Sequence, residues 1–209
     1  MKDLKKIFKM LIYTSFTFIF IGIGLVMLRT IKDDNYFRLE KSSKISKEYK
    51  KISFEAKSNS NEVVVKEKVI VYDNLSYDEL VEKINKNLNS TITDAGKYYL
   101  DAALEYGVNP YLAVAISLHE TGCKWNCSSL VTECYNLGGI KGTPSCGGGS
   151  YRKFDTLEDG IHYFVKNIAE NYYSYGYTTA ETMQKKYTGY EDSPWSMKVN
   201  RYIDTIKNS

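Results

Sequence analysis

The feature that most restricts this chain is an uncharged stretch near its N-terminus. Residues 10–28 read MLIYTSFTFIFIGIGLVML, which is 19 residues without a charged side chain. As a helix this stretch would be about 28 Å long, close to the thickness of the hydrocarbon layer of a bilayer. Four lysines and one aspartate precede it, and an excess of cations marks the cytoplasmic side. The sequence predicts one transmembrane helix at 10–28, with residues 1–9 as a cytoplasmic basic tail.

A cleaved secretory signal is the main alternative for this stretch. Such a signal has a shorter apolar core and a small-x-small cleavage site, which Val26-Met27-Leu28-Arg29 does not supply. A buried helix of a soluble protein is disfavoured because the uncharged run is long and begins so close to the N-terminus. We therefore expect an uncleaved anchor, with everything after Arg29 outside the cell.

The four cysteines lie within 24 residues, at Cys123, Cys127, Cys134 and Cys146. Outside a membrane, an even and clustered set of cysteines indicates two disulfides. The spacing lacks the paired C-x2-C of common zinc modules, so a zinc site is disfavoured. Three pairings are possible, and the sequence does not choose among them.

Helix signals begin near Ser76 and continue to the end of the chain. Capping residues and terminal glycines delimit six predicted helices, starting near Ser76, Thr93, Asn109-Pro110, Thr156, Thr179 and Ser193-Pro194. Residues 123–155, rich in Gly and Cys, interrupt them and predict a disulfide-stapled hairpin or loop lobe. Residues 29–75 are polar and basic, and only EVVVKEKVIVY (62–72) has strand character, so we expect an extracellular stalk. The fold class is therefore mainly α, in a domain spanning 76–209.

The charge distribution argues against a nucleic-acid partner. The net charge of +3 is small, and residues 76–209 carry 13 basic against 16 acidic side chains, so the folded part is acidic. The 19 tyrosines suit surfaces that are half apolar and half wet, such as carbohydrate clefts.

Glu120 is the candidate catalytic residue. The helix before it, YLAVAISLHE, is apolar on nearly all faces and is therefore expected to be buried. Burial and the negative end of the helix dipole both disfavour a carboxylate, so we expect a protonated acid able to protonate a leaving oxygen. An ordinary exposed glutamate is the alternative. His119 and His162 make no convincing metal constellation, and we expect neither metal nor cofactor.

Three segments of the predicted domain stand out, and they read AVAISLHETG (113–122), YNLGGIKG (135–142) and FDTLEDGIHYFVKNIAENYY (154–173). Together they resemble the bacterial glucosaminidase family of peptidoglycan hydrolases, in the lysozyme-like superfamily, and the resemblance covers roughly residues 76–206. It implies that Glu120 is the catalytic acid and that KKYTGYEDSPWSMKVNRYI matches the closing segment of the family, with Tyr187 near the cleft. It also implies that the floor of a glycan cleft is lined by Asn136, Leu137, Gly138 and Gly139.

The sequence departs from the family pattern where a second acidic residue is often found. The segment GTPSCGGGSYRK (142–153) contains neither Asp nor Glu. Asp155 is expected to cap a helix, which leaves Glu133 as a candidate second carboxylate. A mechanism with a single acid is the alternative, assisted by the 2-acetamido group of the sugar or by attack of its 6-hydroxyl.

These observations predict a membrane-anchored enzyme of a bacterial cell, facing outward and cutting a β-1,4 bond between amino sugars of the glycan strand, as an N-acetylglucosaminidase does. Lytic transglycosylase or muramidase action on the same strand is an alternative. A catalytically silent glycan-binding module of an envelope-spanning assembly is another. Aromatic candidates for sugar binding are Tyr135 and Tyr151, together with Trp125, Tyr172, Tyr173, Tyr175 and Tyr177.

Overall fold

The computed structural model describes residues 70–209, which form a mainly helical domain as predicted. The helices are α1 (Tyr77–Asn85), α2 (Gly96–Tyr106), α3 (Pro110–Thr121), α4 (Ser129–Cys134), α5 (Leu157–Asn171), α6 (Ala180–Thr188) and α7 (Trp195–Lys207). Short 3-10 turns occur at Ser90–Ile92 and Tyr173–Tyr175. Across 70–209 no helix has the length and apolar character needed to cross a bilayer. The tail at 1–9, the span at 10–28 and the first part of the stalk lie outside the described residues.

Helix ends lie where local capping chemistry predicts them. Ser76 and Glu79 form a reciprocal capping box at the start of α1. Asn109 Oδ1 accepts from the amides of the first turn of α3, and Gly122 ends that helix in the left-handed conformation, with φ of 70°. Helix α2 begins at Gly96, whereas the predicted start was near Thr93. Asp94 has a positive φ, which is not helical, and Gly96 N donates to Asn85 Oδ1 at 2.7 Å at the actual start of the helix.

Helix α3 is the centre of the core. All nine residues from Pro110 to Leu118 are buried, which explains why the sequence there has no polar face. Helix α7 packs against α3, and α6 packs against α7. Helix α5 covers α2 with an apolar face made by Ile161, Phe164, Val165 and Ile168. This arrangement brings the C-terminal end of α3 close to the beginning of α7.

A short antiparallel hairpin precedes the helices, made by β1 (Ile70–Tyr72) and β2 (Leu75–Ser76). The Tyr72 ring packs edge-on against Tyr111, with centroids 5.6 Å apart, and Tyr111 Oη donates to Asp73 Oδ2 at 3.0 Å. Residues 70–75, assigned to the stalk from the sequence, are therefore packed on the helical domain, because Val71, Tyr72 and Leu75 lie against its apolar core.

Residues 123–155, predicted as a hairpin or loop lobe, contain the helix α4 and then a loop lobe that runs from the end of α4 to the start of α5. The four cysteines form two disulfides, Cys123–Cys127 and Cys134–Cys146, with Cα atoms 4.1 and 5.8 Å apart. Isolated bridges join Lys141 with Tyr151 and Ser145 with Arg152. Helix α4 lies inside the segment predicted to be irregular, and its six residues fall below the length at which apolar periodicity is readable.

Candidate functional site

Glu120 lies in the last turn of α3, and its side chain is exposed. The expectation that apolar packing surrounds this residue is therefore wrong. Burial of α3 stops at Leu118 on this face, and the helix ends at Thr121 with Gly122 as its cap. The carboxyl group is consequently open to solvent and to a ligand, at the end of an otherwise buried helix.

One hydrogen bond fixes the carboxyl group of Glu120. Trp195 Nε1 donates to Glu120 Oε1 at 2.9 Å, across 75 residues of sequence. Trp195 is the first residue of α7 and is only 5% exposed, and its amide donates to Ser193 Oγ at 3.2 Å. The indole is therefore a rigid donor. The bond from Trp195 is the only hydrogen bond that the carboxyl group makes within residues 70–209, so Oε2 of Glu120 stays open to a ligand.

Two tyrosines extend an aromatic row from Trp195. Tyr187 stacks on the indole with centroids 4.4 Å apart and ring planes at 23°, and Tyr172 lies 5.6 Å beyond Tyr187. Burial raises the pKa of both phenols, and the negative charge of Glu120 raises them further. Both hydroxyls therefore stay protonated at neutral pH beside the carboxyl group. The row places Tyr187 near Glu120, as the resemblance implies, and adds Tyr172.

A lysine lies at the outer end of this row. Lys186 Nζ is 5.4 Å from the centroid of Tyr172, 4.0 Å from that of Tyr175 and 5.6 Å from that of Tyr177. The ammonium also donates to the carbonyl oxygen of Asn171. Cation–π attraction thus orders these surface tyrosines around one cation.

Asn136 and Leu137, predicted to line the floor of the cleft, are both fully buried. Asn136 Nδ2 donates to the carbonyl oxygens of Ile140 and Arg152 at 2.8 Å each, and its Oδ1 accepts from Ile140 N at 2.9 Å. One amide side chain therefore satisfies three backbone groups and fixes the shape of the lobe. In this structure its role is to support the lobe from beneath.

Gly138 and Gly139 lie above that support. A Cβ atom at Gly138 would be 2.8 Å from Cδ2 of the buried Phe164, so this position accepts only glycine without a shift of α5. Gly139 faces Tyr151, whose ring is 43% exposed. Tyr135 ends α4 in the left-handed conformation and is half-buried. Of the lobe candidates, Tyr151 thus offers the largest open aromatic surface.

Within residues 70–209, no side-chain hydrogen bond or ion pair joins Glu120 to the other candidates. Glu133 is exposed on α4 and makes no side-chain hydrogen bond or ion pair within residues 70–209. The His119 ring lies 6.5 Å from that of Tyr202, whereas His162 lies edge-on to Tyr106 with Nδ1 3.7 Å from Glu105 Oε2. Among the described residues, no three His, Cys, Asp or Glu side chains are grouped closely enough to hold a metal ion.

Trp195 is the site residue that the sequence analysis did not identify. Two features of the sequence single it out: it follows the Ser193-Pro194 helix start, and it is one of only two tryptophans in the chain. Nothing local, however, indicates that its N–H meets a carboxyl group 75 residues earlier. That contact depends on the packing of α7 against α3.

Comparison with known proteins identifies the family to which the chain belongs. None of the curated proteins compared matches the chain. The family model Glucosaminidase, described as mannosyl-glycoprotein endo-beta-N-acetylglucosaminidase, matches residues 96–208, more than half of the chain. The matched range includes Glu120, the lobe and the whole aromatic row. The chain therefore belongs to the glucosaminidase family of lysozyme-like glycoside hydrolases, with an activity of the endo-β-N-acetylglucosaminidase type.

Proposed function

We propose that this chain cleaves a β-1,4 bond between amino sugars of the peptidoglycan glycan strand, with Glu120 as the general acid. The observation that carries the proposal is the geometry of that carboxyl group. It is exposed at the end of a buried helix, and Trp195 anchors its Oε1 at 2.9 Å. An anchored carboxyl group presents its proton from Oε2 in a fixed direction, as proton transfer to a glycosidic oxygen requires.

The hydrogen bond from Trp195 also favours the proton transfer itself. While Glu120 is protonated, the indole N–H donates to a neutral acid. When the proton moves to the leaving oxygen, the same N–H donates to a carboxylate, and hydrogen bonds to charged groups are the stronger kind. The bond therefore stabilises the transition state more than the ground state, and this difference is what accelerates a reaction.

The aromatic row supplies a surface for sugar rings. Pyranose faces stack on aromatic rings, and the protonated hydroxyls of Tyr187 and Tyr172 donate hydrogen bonds to sugar oxygens. We propose that this row, with Tyr151 and Tyr135 of the lobe, holds the strand across Glu120. Asn136, Leu137, Gly138 and Gly139 give the lobe its shape.

We propose a single-acid route because the lobe lacks the second carboxylate. Retaining hydrolases use a second carboxylate about 5–5.5 Å from the acid, and inverting ones about 6.5–9.5 Å from it. The segment 142–153, where the family often carries its second carboxylate, contains neither Asp nor Glu. In the proposed route the 2-acetamido oxygen of the substrate bonds to the anomeric carbon as the glycosidic bond breaks. Glu120 protonates the leaving oxygen. Water then attacks the anomeric carbon, the bond to the acetamido oxygen breaks, and the proton lost by the water returns to the Glu120 carboxylate.

The anchor at residues 10–28 and the stalk complete the proposal. An N-terminal helix in a bacterial membrane, with the basic tail inside, would leave residues 70–209 on the outer side where the wall lies. Two disulfides suit that compartment. The proposed location is therefore a single-pass membrane protein whose catalytic domain is extracellular.

The test is digestion of purified peptidoglycan by the full chain and by two matched variants. Glu120→Gln removes the proton donor while keeping nearly the same shape, and we expect the rate to fall at least a hundredfold. Glu133→Gln makes the same change at the other candidate, and we expect it to stay within twofold of the parent. An equal loss in both variants would identify Glu133 as a second carboxylate and overturn the single-acid route.

Mass spectrometry of the released fragments identifies the bond that is cut. New reducing ends of N-acetylglucosamine support the proposal, whereas anhydro ends would show attack by the 6-hydroxyl. Unchanged digestion by Glu120→Gln would refute the assignment of the acid. Binding to wall material without any clearing by the parent would show a silent glycan-binding module instead.

A further inference from the structure

A second candidate site lies between the loop lobe and helix α5. It is a cavity of about 420 Å³ whose lining comes from the lobe, from α5 and from Tyr106 of α2. Neither Glu120 nor any member of the aromatic row lines it. Nothing in the proposed chemistry at Glu120 uses this space.

Arg152 is the most informative residue of this cavity. Its guanidinium lies over the rings of Phe154 and Tyr163, with centroid distances of 5.2 and 4.7 Å. Within residues 70–209 the guanidinium makes no hydrogen bond or ion pair, and the Nε atom is buried without a partner. These two rings adjoin each other, with centroids 5.3 Å apart, and together they hold the guanidinium in place. A guanidinium held in this way is a preorganised fork of donors, and such a fork matches a carboxylate.

The charges around Arg152 restrict the kinds of ligand that the cavity can bind. Lys153 also has no ion pair in the described part of the chain, whereas Lys166 lies 3.7 Å from Glu170 Oε1. Two carboxylates share the lining, Asp155 and Asp159, and Asp159 Oδ2 already accepts from Thr156 Oγ1 at 2.7 Å. A polyanion would meet those carboxylates and be repelled. A ligand with one carboxylate, flanked by neutral or cationic groups, fits better.

The position of Arg152 connects the cavity to the lobe. Consecutive side chains of an extended segment point to opposite sides. Tyr151 faces Gly139 and is open to solvent, and Arg152 faces Phe154 and Tyr163. Asn136 Nδ2 donates to the backbone carbonyl oxygen of Arg152 at 2.8 Å. This bond fixes the backbone from which the side chains of Tyr151 and Arg152 leave. A sugar stacked on Tyr151 would therefore lie across the extended segment from the cavity, and only a branch several residues long, at about 3.3–3.6 Å per residue, would reach the cavity.

We propose that this cavity binds a carboxylate of the short peptides that branch from the glycan strand, so that the enzyme prefers peptide-bearing strands over bare glycan. The inference rests on the proposed function, since it names the part of that substrate which the second site recognises. Arg152 supplies the bidentate contact, and Lys153 adds a second cation at the rim. Arg152 is thus a specificity-determining residue outside the catalytic group.

The experiment compares two substrates with four forms of the full chain. The substrates are intact peptidoglycan and the same glycan strands after an amidase has removed their peptides. The forms are the parent, Arg152→Gln, Arg152→Lys and, as a control, Lys86→Gln, which removes an exposed cation just after the end of α1. We expect Arg152→Gln to lower the rate on peptide-bearing strands about tenfold, as loss of one charged hydrogen-bonding group does. The rate on stripped strands stays unchanged, Arg152→Lys retains part of the preference, and Lys86→Gln behaves as the parent.

A binding measurement separates this inference from the proposed function. The probe is a short synthetic peptide ending in a free carboxylate, compared with the same peptide ending in a carboxamide, titrated into the parent and into Arg152→Gln. Binding of the carboxylate form alone, lost in Arg152→Gln, supports the inference even if neither glycan substrate is cut, an outcome that would refute the proposed function. Equal cleavage of both substrates by the parent, an equal loss on both in Arg152→Gln, or no difference between the peptides overturns the inference.

Discussion

Replacing Trp195 by Phe tests the contact on which the catalytic proposal depends most directly. Phenylalanine keeps an aromatic ring on Tyr187 and removes the N–H that donates to Glu120 Oε1 at 2.9 Å. The carboxyl group loses its anchor, and the carboxylate formed by proton transfer loses its charge-assisted donor. Since the stronger bond exists only after the proton has moved, we expect the loss to appear in kcat.

The expected loss in kcat follows from the strength of the Trp195–Glu120 hydrogen bond before and after Glu120 gives up its proton. A net hydrogen bond between neutral groups contributes about 0.5–1.5 kcal/mol, and one to a charged group about 1.5–3 kcal/mol. The charged bond is therefore stronger than the neutral one by about 1 kcal/mol. We use the lower end of the range because Glu120 is exposed, and water can replace part of the lost hydrogen bond. Since about 1.36 kcal/mol changes a rate tenfold, we expect kcat to fall about fivefold in Trp195→Phe.

The assay is the initial rate of fragment release from peptidoglycan, measured over a range of substrate concentrations for the full chain. Trp125→Phe is the matched control for kcat, because Trp125 is the other tryptophan of the chain, is 76% exposed and makes no hydrogen bond to Glu120 within residues 70–209. If Trp125 binds sugar, its replacement changes KM and leaves kcat at the parent value. Thermal unfolding of each variant shows whether the smaller ring has loosened the start of α7. The reasoning is refuted if Trp195→Phe keeps the parent kcat, or if only KM changes.

Two further predictions concern stability. In Gly160→Ala a Cβ would overlap the backbone carbonyl oxygen of Tyr135, so we expect a loss of about 3 kcal/mol in urea denaturation, although Gly→Ala inside a helix ordinarily stabilises by about 0.5–1 kcal/mol. At high pH, burial keeps the pKa of Tyr99 above its ordinary value of 10.0. Its contribution to stability is complete below that ordinary pKa and is lost as the pH rises beyond it, because the unfolded chain then releases a proton that the folded chain retains. Tyr99→Phe should therefore reduce the steepness of alkaline destabilisation by about 1.4 kcal/mol per pH unit.

Each stability prediction has its own control. Gly147 has a φ of 57° and no atom within 4 Å of an added Cβ, so Gly147→Ala should cost only the backbone strain, about 1 kcal/mol. A Gly160→Ala protein as stable as the parent would contradict the close approach of α5 to Tyr135. For Tyr99, absorbance of the phenolate counts the ionised tyrosines. If Tyr99→Phe loses stability above pH 10 as steeply as the parent, the ring is not protected as described.

Local chemistry made the helices readable from the sequence. The Ser76 capping box, the Asn109-Pro110 start and the cap at Gly122 each act within a few residues, so the sequence contains the whole signal. The uninterrupted apolar run of α3 likewise reported its burial correctly. The apolar run did not predict the residue at which burial of α3 ends. That residue determines whether Glu120 is buried or exposed.

The parts that sequence reasoning missed depend on contacts between distant segments. The donor to Glu120 comes from Trp195, and only the packing of α7 on α3 brings them together. Asn136 was recognised by its motif, yet its side chain serves the backbone of Ile140 and Arg152, which an amide can do as readily as bind a sugar. The cysteine pairing was open among three possibilities until the lobe placed Cys134 beside Cys146.

The lobe is held by one buried amide and one disulfide, with little apolar interior of its own. Its tip at Gly147 and Gly148 has no neighbouring atoms within 4 Å of either added Cβ position. Residues can therefore be inserted at this tip without disturbing the helices beneath. A fluorescent label or a grafted recognition peptide placed there would project beside the exposed Tyr151 ring and report directly on what approaches it.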